Sequence, residues 1–220
     1  MGWSVLCLGQ YAGSSQVRKR ECGYARLSAV RALAPGTVLL PSNLTRPVPT
    51  QPSLRPFDIA VALRLLLVPE DRYEPLANAL ATSTSAAHRS VARLQHAGLC
   101  EPSRRTVNRS ACREFLVHGV RYAFPPVHGP ERVGMPTAGA HPELAELFGT
   151  TAAMKTLVWP MEGGVIRGEA LVPLFTGVTK VAARDARLHH LLACIDVLRV
   201  GTGEQRQVAA DVLQHRLFTS

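Results

Sequence analysis

Apolar residues recur along this chain at helical spacing from residue 56 onward. Ile59, Ala62, Leu63, Leu66 and Leu67 form one stripe, at the three-and-four interval that stacks side chains on one helix face. Pro56 fits the first turn of that helix, Asp58 suits its positive end, and Pro69 stops it. Leu76, Ala77 and Leu80 predict a second helix, which Pro75 can begin. Ala81-Thr82-Ser83 interrupts the pattern, and Ser83 is a good N-cap because its hydroxyl accepts an orphan N–H of the next turn. Ala87, Val91 and Leu94 then mark a third helix, closed by Gly98 as a left-handed C′ residue.

Further on, the signals alternate in kind. Residues 99–101 and 105–107 predict a short antiparallel ribbon with Pro102-Ser103-Arg104 at its tip. Asn108 caps a fourth helix with Ala111, Cys112, Phe115 and Leu116 inward, and Gly119 ends it. Residues 121–124 read as extended, and the Pro- and Gly-rich residues 125–140 as a long loop. A short helix over 141–148 follows, begun by Pro142. Residues 155–159 and 165–167 read as two strands of a hairpin around Met161-Glu162-Gly163-Gly164. Leu188, Leu191, Leu192, Ile195 and Leu198 predict a helix over 185–200. Thr202-Gly203-Glu204-Gln205 is a capping box for another, with Val208, Ala209, Val212, Leu213 and Leu217 inward.

The expected fold class is mainly α with small β (α+β). Residues 1–53, broken by five prolines from Pro35 to Pro52 and by Gly36, are expected to be a largely disordered basic tail. Residues 54–124 are expected to form one domain. Residues 125–220 would form a C-terminal β-hairpin and helical hairpin, for dimerisation or for partner or ligand binding.

The outward face of the third helix carries Thr84, Ser85, His88, Arg89 and Ala92, with Arg93 beside them and no acid. Short polar groups, one imidazole and a guanidinium suit entry into the major groove, where they can offer donors to base edges. The ungapped series Leu76-Ala77, Ala79-Leu80, Ser83, Ser85, Arg89, Arg93-Leu94, Ala97-Gly98-Leu99 resembles the helix-turn-helix of MarR-like winged-helix transcription regulators, over residues 56–124. The chain departs from that pattern at Ala81, where glycine is common, and at Ala86 and Ala87, where a larger β-branched residue is usual. The C-terminal half resembles uncharacterised bacterial proteins that pair a winged helix with such a region, a likeness that implies no activity. The resemblance implies a winged helix-turn-helix whose recognition helix, residues 84–97, enters the major groove, with a short basic wing. Thr84, Ser85, His88 and Arg89 would contact bases, and Arg93, Arg104, Arg105 and Arg109 phosphates. It also implies a bacterial, cytoplasmic homodimer on double-stranded DNA. The competing expectation is a winged-helix interaction module, such as an antitoxin-like protein that holds a protein partner.

Charge placement agrees with a nucleic-acid footprint. The net charge is +9, of which residues 1–53 hold +5 (six basic, one acidic), residues 54–124 hold +4 (ten and six) and residues 125–220 are balanced (nine and nine). Such an excess attracts phosphate, although a solvated surface has the same composition. The five cysteines, at 7, 22, 100, 112 and 194, lack CxxC spacing, which argues against a zinc site and a disulfide framework. No apolar run reaches the length of a membrane span.

Other constellations point to no enzyme and no cofactor. Residues 149–156 mimic a phosphate-binding loop, but Met154 replaces the second glycine and a helix precedes the loop. His189 and His190 are adjacent and so poor joint metal ligands. Trp159, Arg167, Gly168 and Pro173 are read as fold-making residues in preference to a ligand or partner site.

Overall fold

The computed structural model describes residues 52–70, 72–149 and 154–218. The basic tail, apart from residues 52 and 53, and the centre of the phosphate-loop mimic lie outside the described residues. Pro49–Ser220 is one compact unit, mostly helical with a small three-stranded sheet. This is an α+β arrangement.

α1 (Pro56–Leu67) starts as its sequence demands. Pro56 is in its first turn, and the Arg55 backbone N–H donates to Asp58 Oδ2 at 2.8 Å. α2 (Tyr73–Ala79) and α3 (Thr84–His96) both pack on α1. Ile59, Leu63, Leu76, Leu80, Val91 and Leu94 are buried together between them. Gly98 has φ +73° and ends α3 as expected, and Leu99 turns back into the core. The ribbon that follows shrinks to a single antiparallel bridge between Cys100 and Val107. It is flanked by bonds from Glu101 N–H to the Thr106 carbonyl and from Asn108 N–H to the Leu99 carbonyl, each 2.9 Å.

Asn108 caps α4 (Arg109–Glu114) through its side-chain oxygen. Gly119, however, does not stop this helix. A π turn (Phe115–Gly119) carries it into α5 (Val120–Ala123), so residues 121–123 are helical and not extended. Gly119 serves packing instead, because a Cβ there would lie 2.9 Å from the Phe115 ring.

The loop expected over 125–140 is largely a strand, β1 (His128–Thr137). Its glycines and prolines resemble loop chemistry but have strand roles. Pro130 sits in a register irregularity between His128 and Glu131, where a missing N–H is tolerated. The Pro136 carbonyl accepts from His189 Nε2 at 2.8 Å. In an extended residue N and C=O point to the same side, so the ring nitrogen of Pro136 faces α8 and not the ladder. Gly134 is required sterically, since a Cβ would fall 2.2 Å from the Trp159 carbonyl oxygen.

β2 (Leu157–Pro160) and β3 (Ile166–Leu171) do not form the expected hairpin. Both run antiparallel to β1, on its opposite edges: Val133 C=O accepts from Met161 N–H and Gly134 C=O from Val165 N–H. The strands curl into a small closed barrel in which Leu157 and Val158 pair in parallel with Glu169 and Ala170. Gly164 passes so near Gly134 that a Cβ would approach its Cα to 2.4 Å. A side chain on Gly164 would block that approach.

α6 (Pro142–Phe148), α7 (Val178–Arg184), α8 (Ala186–Val200) and α9 (Gly203–Leu213) complete the unit, followed by a π turn (Gln214–Phe218). Asp185 caps α8, and Thr202 with Gln205 forms the expected capping box of α9. α8 is more than one arm of a helical hairpin. It is buried all round from His190 to Arg199 and packs on α1, α5, α6, α7, α9 and β1. The boundary expected at Pro125 therefore does not divide the packing. The one deep carboxylate of α8, Asp196, accepts from Thr137 Oγ1, Trp159 Nε1 and Arg199 Nη1, each at 2.7 Å. Trp159 is thus part of the core, as its fold-making reading requires.

Candidate nucleic-acid interface

The turn between α2 and α3 decides how α3 is presented. Thr82 N–H bonds to the Ala77 carbonyl at 2.9 Å, and Ser83 Oγ accepts from Ala86 N–H at 3.2 Å. Ala81 takes φ +48°, a left-handed value that favours glycine. The turn between α2 and α3 therefore holds an alanine under strain at a position suited to glycine.

Ala87, Ser90, Val91 and Leu94 face inward. Thr84, Ser85, His88 and Arg89 are all exposed, as a base-reading role needs. The first turn of α3 holds no acid, so its positive end and free N–H groups face outward unneutralised. The His88 ring lies against Tyr73, with centroids 5.0 Å apart. On the Tyr73 ring rests the Arg105 guanidinium, 4.6 Å from its centroid.

The expected phosphate contacts divide sharply. Arg104 is exposed. The other three have partners inside the protein. Arg93 donates from Nε to Asp58 Oδ2 at 2.8 Å and from Nη2 to Oδ1 at 2.6 Å. The hydrogen bond to Asp58 pushes the Arg93 pKa above its ordinary value. Ser90 Oγ donates to the same carboxylate at 2.5 Å, and the Asp58 side chain is wholly buried. Arg105 donates to the Glu70 carbonyl at 3.1 Å besides stacking on Tyr73. Arg109 donates to the Leu217 carbonyl and lies over the Phe218 ring. Arg93, Arg105 and Arg109, expected at phosphates, are thus each engaged inside the protein, where they hold the scaffold. Arg104, Arg105 and Arg109 still line a common cleft of about 440 Å³ with Glu70.

Two residues that the hydrophobic pattern did not single out complete the arrangement. Tyr73 links α2 to His88 and Arg105. Gln95 donates from Nε2 to the carbonyls of Arg104 at 2.8 Å and Glu101 at 3.3 Å, and so fastens the turn carrying Arg104 to α3. A polar residue at the penultimate position of α3 was the available signal for Gln95.

The chain matches no family model, no curated protein and no solved structure. Chemistry elsewhere in the molecule is subdued. Burial pushes the Cys100 thiol up to about 11 and the Cys112 thiol up to about 12, which makes both poor nucleophiles and metal ligands near neutral pH. Among the described residues there is no group of three or more metal-ligating side chains. No helix among them is long and apolar enough to cross a membrane.

Proposed function

We propose that this protein is a sequence-specific double-stranded DNA-binding transcriptional regulator of the MarR-like winged-helix kind. α3 enters the major groove, and the turn around Arg104 lies on the backbone. The observation that carries this reading is the outer face of α3: exposed, free of acid, and rigidly seated on α1. Thr84, Ser85, His88 and Arg89 read base edges, and Arg104 contacts phosphate. Arg93, Arg105, Arg109, Tyr73 and Gln95 position those residues. The protein acts in the cytoplasm as a homodimer on a two-fold site.

Fluorescence anisotropy of the full chain on duplex DNA across a salt series tests the reading. Arg89→Ala should cost about 1–3 kcal/mol and relax base preference. Arg104→Ala should weaken all sequences alike and flatten the log–log salt slope by about one. The absence of salt-dependent duplex binding, or equal binding by the double variant, rejects the proposal.

A further inference from the structure

α6, α8, α9 and the π turn after α9 enclose a second cleft, of about 560 Å³, a size that suits a small organic molecule. Leu147, Val208 and Val212 supply apolar wall. Leu147 is 56% exposed, so its side chain is open to a ligand in the cleft. Three carboxylates, Glu143, Glu146 and Asp211, line the same space. Arg216 Nη2 neutralises Glu143 Oε2 at 2.9 Å, and Asp211 accepts only the neutral amide of Gln207 at 2.9 Å. Glu146 has no ion-pair partner among the described residues. The cleft is therefore acidic on balance.

Its floor holds the decisive group. His190 projects from the central helix α8 and is only 4% exposed. Both of its ring nitrogens are buried without a hydrogen-bond partner. Nδ1 comes within 3.1 Å of Glu143 Oε2, but the contact lacks hydrogen-bond alignment. An unsatisfied buried polar group is costly, and a leucine here would avoid that cost. Burial also lowers the His190 pKa, so near neutral pH the ring offers one donor and one acceptor nitrogen.

We propose that this cleft binds a small organic cation: an apolar, aromatic-sized body bearing a protonated amine. The body lies against Leu147, Val208 and Val212. The ammonium sits among the carboxylates, with Glu146 and Asp211 supplying the charge that Arg216 leaves uncompensated. The His190 ring closes the floor beneath the ammonium. An anionic ligand would have to pull Arg216 away from Glu143 and then face Glu146 and Asp211.

Isothermal titration calorimetry on the full chain decides the matter with three probes of one shape: phenethylamine, 2-phenylethanol and phenylacetate. Phenethylamine should bind saturably at millimolar concentration or below, and the other two at least about tenfold more weakly. The E146Q/D211N variant should lose about tenfold for the amine while keeping its melting temperature without ligand. V212W, which fills the cleft, should abolish binding, and amine addition should shift the His190 ring resonances in NMR. Preference for phenylacetate, no saturable amine binding, or amine binding untouched by E146Q/D211N and V212W would overturn the proposal. No DNA is present in the assay, so its result is independent of the regulator reading.

Discussion

Arg93→Met separates a structural arginine from a DNA-contacting one. The substitution keeps the stem that packs between α1 and α3 and removes the guanidinium. Asp58, with its side chain 0% exposed, would keep only the Ser90 hydroxyl and the Arg55 N–H as donors. Breaking a buried pair by removing one partner typically costs 3–5 kcal/mol. Two surviving donors put the expectation at the lower end, about 3 kcal/mol. For a unit of this size that is a fall of roughly 6–12 °C in Tm. Asp58→Asn should cost less, about 1–2 kcal/mol, because Arg93 is 18% exposed and its freed charge can turn to water. The double variant D58N/R93M should recover about 1–2 kcal/mol relative to the sum of the singles. Urea unfolding of the four proteins measures the cycle. A cost below about 0.5 kcal/mol for R93M, the range of an ordinary surface substitution, together with zero coupling, would refute the buried lock. Anisotropy adds an orthogonal check: R93M protein that is still folded should retain the wild-type salt slope, whereas R104A should not.

Ala81→Gly should raise stability by about 0.5–1 kcal/mol, because it relieves a left-handed alanine at an exposed position; calorimetry showing an unchanged or lower Tm would reject the strain. Stability should also decline in mild acid. His141, buried beside His189 and His190, has its pKa lowered to about 4 from 6.5, chiefly by burial and further by those two rings. The unfolded chain takes up this proton near pH 6.5 and the folded one only near 4. Stability is therefore full above about 6.5 and drains away as pH falls toward 4, by about 3 kcal/mol for this one residue at 1.36 kcal/mol per tenfold. His189 and His190 are lowered in the same direction. Urea midpoints between pH 7 and 4.5 should show the decline, and H141Q should flatten it; a variant with the same acid limb as wild type rejects the assignment.

Most helices were legible because their information is local. Pro56, Ser83, Asn108, Asp185 and Thr202 each mark a start by chemistry confined to one turn, and the inward residues of α3 follow from periodicity, whereas α1 and α8 also bury residues outside their expected stripes. The sheet was not legible, for the opposite reason. Gly134 and Gly164 are needed only because two distant segments cross, and Pro130 and Pro136 are tolerated only where no ladder partner awaits their nitrogens. Read singly, those four residues indicate a loop. α5 was missed in the same way, since Gly119 looks like a stop until Phe115 is seen against it. The exposure of Thr84, Ser85, His88 and Arg89 followed from helix period alone. The captivity of Arg93, Arg105 and Arg109 did not, because their partners lie 35, 35 and 108 residues away.

That captivity changes what the charge of the chain implies. Ten arginines between residues 54 and 124 suggest a broad cationic surface. Arg64 pairs with Glu70 at 2.9 Å and Arg93 with Asp58 at 2.6 Å. Arg105 and Arg109 spend their donors on backbone carbonyls and their faces on aromatic rings. Net charge counts all four, yet a phosphate would have to compete with a partner already in place, often a desolvated one. Of the arginines assigned to phosphate, Arg104 alone is left with its guanidinium unpaired among the described residues, since Arg89 is placed on base edges. One neutralised phosphate corresponds to a log–log salt slope of about −0.9 for each copy, far shallower than eight or ten contacts would give. The excess of five positive charges in residues 1–53 would add to that slope only by meeting phosphate itself. Removing those residues should therefore leave the slope of about −0.9 from the Arg104 turn. A much steeper slope in the shortened protein would mean that the paired arginines let go of their partners when DNA arrives.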